Sequence, residues 1–97
     1  MYNKKKFLEL LTINNCVYYQ KDNNIQLSTG EKSNIYYDIK KAAGIPELFK
    51  IILDQLQNII PRNSSIVAVS TGGIPYGAAL ANIYKTNFAY VRENKKK

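Results

Sequence analysis

Ile66-Val67-Ala68-Val69-Ser70-Thr71-Gly72-Gly73-Ile74-Pro75, with Phe88-Ala89-Tyr90-Val91 further on, is the stretch that decides the fold class. Ile66 to Val69 is a short, uninterrupted apolar run, the pattern of a parallel strand covered on both faces. Ser70 to Gly73 is a flexible turn, and Pro75 sits where a helix opens. That helix is expected to run to about Tyr84, with Ala78, Ala79 and Ala81 small enough to pack closely on a sheet. Phe88 to Val91 has the pattern of a second buried strand. Strand, turn, helix and strand make a right-handed crossover between parallel neighbours, so the chain is α/β.

Working outward, Leu48, Phe49, Ile52, Leu53, Leu56, Ile59 and Ile60 form an apolar stripe of helical period. Pro46 fits its first position and Pro61 stops it. Phe7, Leu8, Leu10, Leu11 and Ile13 predict a short amphipathic helix over 3–14, ended by Asn14 and Asn15. Between the two helices, 17–27 is expected to be a pair of strands around a turn at Asp22-Asn23-Asn24. A second turn follows at Thr29 to Lys32, and Asn34 to Ile39 is expected to be a strand. The chain is expected to be one incomplete domain over 1–97. Residues 1–45 would hold the first helix and small, hood-like strands, and 46–97 would begin the parallel-sheet core.

Ninety-seven residues allow one small domain and exclude a two-lobed enzyme with a cleft between lobes. Hydrophobic residues are 45% and charged residues 22%, which excludes a disordered chain. The formal charge of +7 suggests nucleic acid, but Lys4–Lys6 and Lys95–Lys97 supply six positive charges and 7–94 carry +1. A nucleic-acid partner is therefore disfavoured. Cys16 is the single cysteine and histidine is absent, which removes intramolecular disulfides, imidazole catalysis and Cys-based or His metal sites. No apolar run approaches the roughly 18 residues of a membrane span, and Phe7 to Ile13 makes a poor signal peptide. A cytoplasmic setting with no membrane partner is expected.

Three segments could carry chemistry. The Ser70–Gly73 turn, between a parallel strand and a helix N-terminus, suits an anion: N–H groups point outward and the helix dipole adds partial positive charge. Gly72 and Gly73 would let a ligand approach the main chain, and Thr71 can donate from its hydroxyl. A plain tight turn explains the same residues. It is not a Walker A loop, because Ala78-Ala79 stands where Lys-Ser/Thr is needed. Second, Arg92, Lys95, Lys96 and Lys97 follow the second strand, where open α/β sheets bind phosphates. A solvated tail is the alternative. Third, Tyr36 and Tyr37 follow a small-residue turn and could stack on a planar ring, although such pairs more often pack within a strand.

Taken in order, LSTGEKSNIYYDIKK, IVAVSTGGIPYGAALA and FAYVRENKKK resemble the first half of an orotate phosphoribosyltransferase. The resemblance covers roughly 25–97 and implies a truncated type I phosphoribosyltransferase fold. It implies transfer of a phosphoribosyl group from phosphoribosyl diphosphate to orotate, giving orotidine 5'-monophosphate and diphosphate in pyrimidine biosynthesis. Magnesium would be bound with phosphoribosyl diphosphate, and the family forms homodimers. By the same resemblance, Thr71, Gly72 and Gly73 fall in the turn that holds the diphosphate, and Arg92 and Lys96 match cations that clamp it. Tyr36 and Tyr37 fall where an aromatic pair lies against orotate.

Departures accompany the match. Glu93 stands where many members have a loop lysine, and Ser28 where some have a lysine. The paired acidic residues, the Thr-Thr-Gly turn for the ribose 5-phosphate and a later orotate-binding arginine have no counterpart in the 97 residues. No complete catalytic set is therefore assigned, no residue is assigned to metal, and the chain by itself is expected to be inactive. The alternative is a non-catalytic module that keeps the half-fold and binds anions or nucleic acid. A phosphoribosyltransferase for another base is a third reading.

Overall fold

The computed structural model describes residues 2–22, 25–27 and 29–92. Helix α1 (Lys4–Ile13) is followed by four short strands, β1 (Val17–Tyr19), β2 (Ile25–Gln26), β3 (Lys32–Ser33) and β4 (Ile35–Tyr37). Helices α2 (Ile39–Ala42) and α3 (Pro46–Ile59) come next, then β5 (Ile66–Val69), α4 (Ile74–Tyr84) and β6 (Phe88–Val91). β5 and β6 pair in parallel, with Ile66 opposite Phe88 and Val69 opposite Val91. The expected β-α-β unit is present.

The small strands pair differently from expectation. Residues 17–19 and 25–27 do not form a hairpin with each other. β1 pairs antiparallel with β4, Tyr18 opposite Tyr36, and β2 pairs with β3, Ile25 opposite Ser33. The reversal lies at Gly30, whose φ of 90° is in the region glycine tolerates. Tyr18 and Tyr36 then meet as stacked rings, with centroids 6.0 Å apart and planes 19° apart, adding a favourable cross-strand pair. Asn23, Asn24 and Ser28 lie outside the described residues. The strand expected over 34–39 also stops early. The Asp38 carboxylate accepts the Lys41 N–H at 3.0 Å and starts α2, so Ile39 is helical.

Two apolar clusters hold the chain together, and α3 supplies both. Its Leu48 joins Leu11 of α1, Cys16 and Ala42, while its Leu53 joins Ile66 of β5 and Leu80, Ala81 and Tyr84 of α4. Leu11, Leu48 and Leu80 are fully buried and stabilise the fold by about 1.5–3 kcal/mol each. The only ion pair among the described residues, Lys50 with Asp54, is exposed on α3 and contributes about 0.3–0.5 kcal/mol. Burial decides the fold.

α4 covers one face of the β5–β6 pair. Gly77 makes this possible, because a Cβ there would lie 2.9 Å from the Ala68 Cβ and 2.9 Å from the Phe88 ring. Ile66 and Ala68 are buried beneath the helix, while Val67 and Val69 are 63% and 53% exposed. The expectation of strands buried on both faces is therefore corrected. Strand alternation sends every second side chain to a face that no described element covers. β6 is likewise mostly open, with Tyr90 and Val91 exposed. Gly77→Ala is expected to cost about 1–3 kcal/mol through overpacking. A lowered urea midpoint with an unchanged slope would show it.

Candidate functional site

The turn after β5 is built by its backbone. Gly73 donates to the Val69 carbonyl at 3.1 Å, Ile74 donates to the Thr71 carbonyl at 3.2 Å, and Gly77 reaches back to Gly73 at 2.8 Å. The Thr71 and Gly72 N–H groups and the Thr71 hydroxyl have no hydrogen-bond partner among the described residues. Free donors at the head of an eleven-residue helix suit a bound anion. The Ser70–Thr71 peptide bond is cis.

The two glycines differ. A Cβ on Gly73 would sit 2.9 Å from the Val69 carbonyl oxygen and 3.2 Å from the Val69 nitrogen, so packing alone requires glycine there. A Cβ on Gly72 would meet nothing within 4 Å. Its φ is also not in the left-handed region. The space beside Gly72 is open to whatever approaches the turn.

Arg92 is beside this turn. The ladder continues past the strands with Ser70 donating to the Val91 carbonyl at 2.8 Å, which sets exposed Arg92 next to the start of the turn. Lys96 lies outside the described residues. Arg92 and the unpaired N–H groups therefore stand at the same end of the β5–β6 pair, at the carboxyl ends of parallel strands.

Tyr36 and Tyr37 are exposed on β4. Consecutive strand residues face opposite ways, so the two side chains cannot both lie against one ring. Tyr36 shares a face with Tyr18, whose hydroxyl is 3.4 Å from the Asp38 Oδ2. Tyr37 shares a face with Val17 and Tyr19.

The sequence reading passed over Tyr76. It is buried in the first turn and a half of α4, its ring 5.1 Å from that of Phe49, and its hydroxyl donates to the Ile39 carbonyl. Burial pushes its phenol up to about 12, with neighbouring Cys16 and Asp38 adding to the effect. The helix that closes the Thr71–Gly73 turn is thereby tied to the segment that follows Tyr36 and Tyr37. The available signal was an aromatic beside the helix-opening proline in an otherwise alanine-rich helix.

Among the described residues, no group of three or more His, Cys, Asp or Glu side chains could hold a metal. The described residues therefore offer no carboxylate cluster for a protein-held magnesium ion. No helix among the described residues is long and apolar enough to cross a membrane. A cleft of about 540 Å³ lies elsewhere, between α1 and α3, lined by Lys6, Glu47, Lys50 and Asp54 among others. Its charges balance, and none of the sequence-predicted residues lines it.

No family model matches the chain. Its fold is that of phosphoribosyltransferases: it is similar to the crystal structure of orotate phosphoribosyltransferase from Aeropyrum pernix, with a TM-score of 0.73 and 28% identity. That match covers 89% of this chain and 52% of the other. The structure of Leishmania donovani UMP synthase is alike in fold, with a TM-score of 0.73 at 19% identity over 93% of this chain and 20% of that one. By sequence the chain is an orotate phosphoribosyltransferase-like protein, corresponding to part of that enzyme. It is 34% identical to the Pyrobaculum islandicum orotate phosphoribosyltransferase over 95% of its own length and 45% of the relative's. It is 30% identical to the Methanocaldococcus jannaschii one over 99% and 53%. The chain spans about half the length of these relatives.

Two outcomes follow from the geometry. Gly73→Ala is expected to destabilise the chain by about 1–3 kcal/mol, whereas Gly72→Ala stays within about 0.5 kcal/mol of the parent; paired thermal melts distinguish them. For Tyr76 the folded-state phenol lies above the ordinary value of 10.0. Its stabilising contribution is therefore fully present below pH 10 and lost as the pH rises through about 12. The stability difference between the parent and Tyr76→Phe should be flat below pH 10 and shrink above it, read from urea titrations across that range.

Proposed function

We propose that these residues form the diphosphate side and part of the orotate side of an orotate phosphoribosyltransferase. The reaction joins a ring nitrogen of orotate, which releases its proton to solvent, to C1 of the ribose of phosphoribosyl diphosphate. The bond from C1 to the diphosphate oxygen breaks with its electron pair, releasing diphosphate and leaving orotidine 5'-monophosphate in pyrimidine biosynthesis. The observation that carries the reading is the turn at Thr71 and Gly72. Its unpaired N–H groups and unfilled space stand beside Arg92, in a chain alike over nearly its whole length to named orotate phosphoribosyltransferases.

The leaving diphosphate gains charge as the bond breaks, so preorganised donors act most strongly in the transition state. Thr71 and Gly72 would donate from their N–H groups, Thr71 also from its hydroxyl, and Arg92 and Lys96 would supply positive charge. Gly73 acts by shaping the turn. Tyr36 and Tyr37 belong to the orotate side, one of them through its side chain and the other through its backbone. Magnesium accompanies the phosphates and neutralises part of their charge. A homodimer and a cytoplasmic setting belong to the same reading, supported by the family resemblance.

The test is a fusion in which residues 1–92 replace the matching portion of the Aeropyrum pernix relative. Orotate, phosphoribosyl diphosphate and magnesium should give orotidylate. Gly72→Ala in the fusion is expected to raise KM for phosphoribosyl diphosphate about tenfold or more without moving the melt, and Arg92→Ala to lower kcat/KM about 10- to 100-fold. The isolated 97 residues should form no measurable orotidylate, because they span about half of the enzyme. A fusion that forms no orotidylate, or one in which Gly72→Ala changes nothing, overturns the reading.

A further inference from the structure

One hydroxyl connects the two halves of the candidate site. Tyr76 lies three residues beyond Gly73 on α4, and its O–H donates to the Ile39 carbonyl. Its ring is held by Phe49 and by burial to 6% exposure. Ile39 directly follows Asp38, where β4 ends and α2 begins. Asp38 is itself fixed on three sides. Its N–H donates to the Cys16 carbonyl at 2.7 Å, its Oδ1 accepts from Lys41 at 3.0 Å, and its Oδ2 is 3.4 Å from the Tyr18 hydroxyl. Tyr76 thus links the first turn of α4 to the braced segment that directly follows Tyr36 and Tyr37.

The hydroxyl is not needed to fill space or to satisfy a stranded carbonyl. Phenylalanine has the same ring, and the Ile39 oxygen also accepts the Ala43 N–H at 3.3 Å. The O–H therefore acts chiefly as a tie between α4 and the start of α2. At the far end of the same helix, the Tyr84 hydroxyl makes the comparable bond to the Ile60 carbonyl, joining α4 to the end of α3. Tyr84 is packed among Leu53, Ile66, Leu80 and Ala81 and bonded to the end of α3, so it serves as an internal control.

We propose that Tyr76 is a positioning residue, whose hydroxyl couples the Thr71–Gly73 turn to the hairpin end at Tyr36–Asp38. An anion held at the turn is thereby felt where the ring-binding aromatics stand. This rests on the reading of the turn as a diphosphate site.

Hydrogen–deuterium exchange of the full chain tests it, comparing the parent with Tyr76→Phe and Tyr84→Phe, each with and without inorganic diphosphate and magnesium. Without ligand, Tyr76→Phe should speed exchange over 36–43 about two- to tenfold, the scale of one modest hydrogen bond. Amides of 66–69 and 88–91 should not change, and Tyr84→Phe should leave 36–43 as in the parent. Diphosphate should slow 71–74 in all three proteins, but 36–43 only in the parent and Tyr84→Phe. Exchange at 36–43 that ignores Tyr76→Phe, or acceleration shared equally by β5 and β6, overturns the proposal. Protection of 71–74 without 36–43 in the parent overturns it too, with the turn's reading intact. Protection of neither segment marks instead the failure of the diphosphate reading, and the proposal falls with it.

Discussion

The close approach of α4 to the β5–β6 pair is the constraint on which the rest of the molecule depends. Gly77 lets the helix settle onto Ala68 and Phe88, and the register this sets brings Leu80, Ala81 and Tyr84 against Leu53 and Ile66. The same placement aims the start of α4 back at the end of β5. The turn there has only Ser70 to Gly73 in which to reverse direction, and Gly73 must pass against the Val69 backbone to do so. The unpaired donors at Thr71 and Gly72 are a consequence of that tight geometry.

α3 carries the second level of organisation. Because Leu48 and Leu53 face different clusters, a single helix fastens the N-terminal helix and small strands to the parallel pair. Buried tyrosines reinforce the arrangement from α4, Tyr76 toward α2 and Tyr84 toward the end of α3. Each buried hydroxyl has a carbonyl partner, and no buried side-chain polar atom among the described residues lacks one. Polar contacts thus set directions within a frame whose stability comes from apolar burial.

The open face of the parallel pair contrasts with this. Val67, Val69 and Val91 are exposed apolar residues on a sheet type that is ordinarily covered on both sides. The chain also answers to only about half of the relatives it resembles.

Residue order alone was sufficient for α1, α3, α4, β5 and β6, since continuous apolar runs and helical stripes bounded by Pro46, Pro61 and Pro75 are local signals. The turn at Ser70–Gly73, with Arg92 after the next strand, was legible for the same reason: strand, turn and helix are adjacent in sequence. Pairing was not. Whether 17–19 joins 25–27 or 35–37 depends on which distant partner buries more and stacks better, and two- or three-residue strands carry too little pattern to say. α2 is too short for a period to appear. The different surroundings of Gly72 and Gly73 are decided by the fold, because only the position of Val69 shows which missing Cβ has a neighbour. Tyr76 is the clearest case. Nothing local distinguishes it from another packed aromatic, and its bond to Ile39 spans thirty-seven residues that only the folded chain brings together.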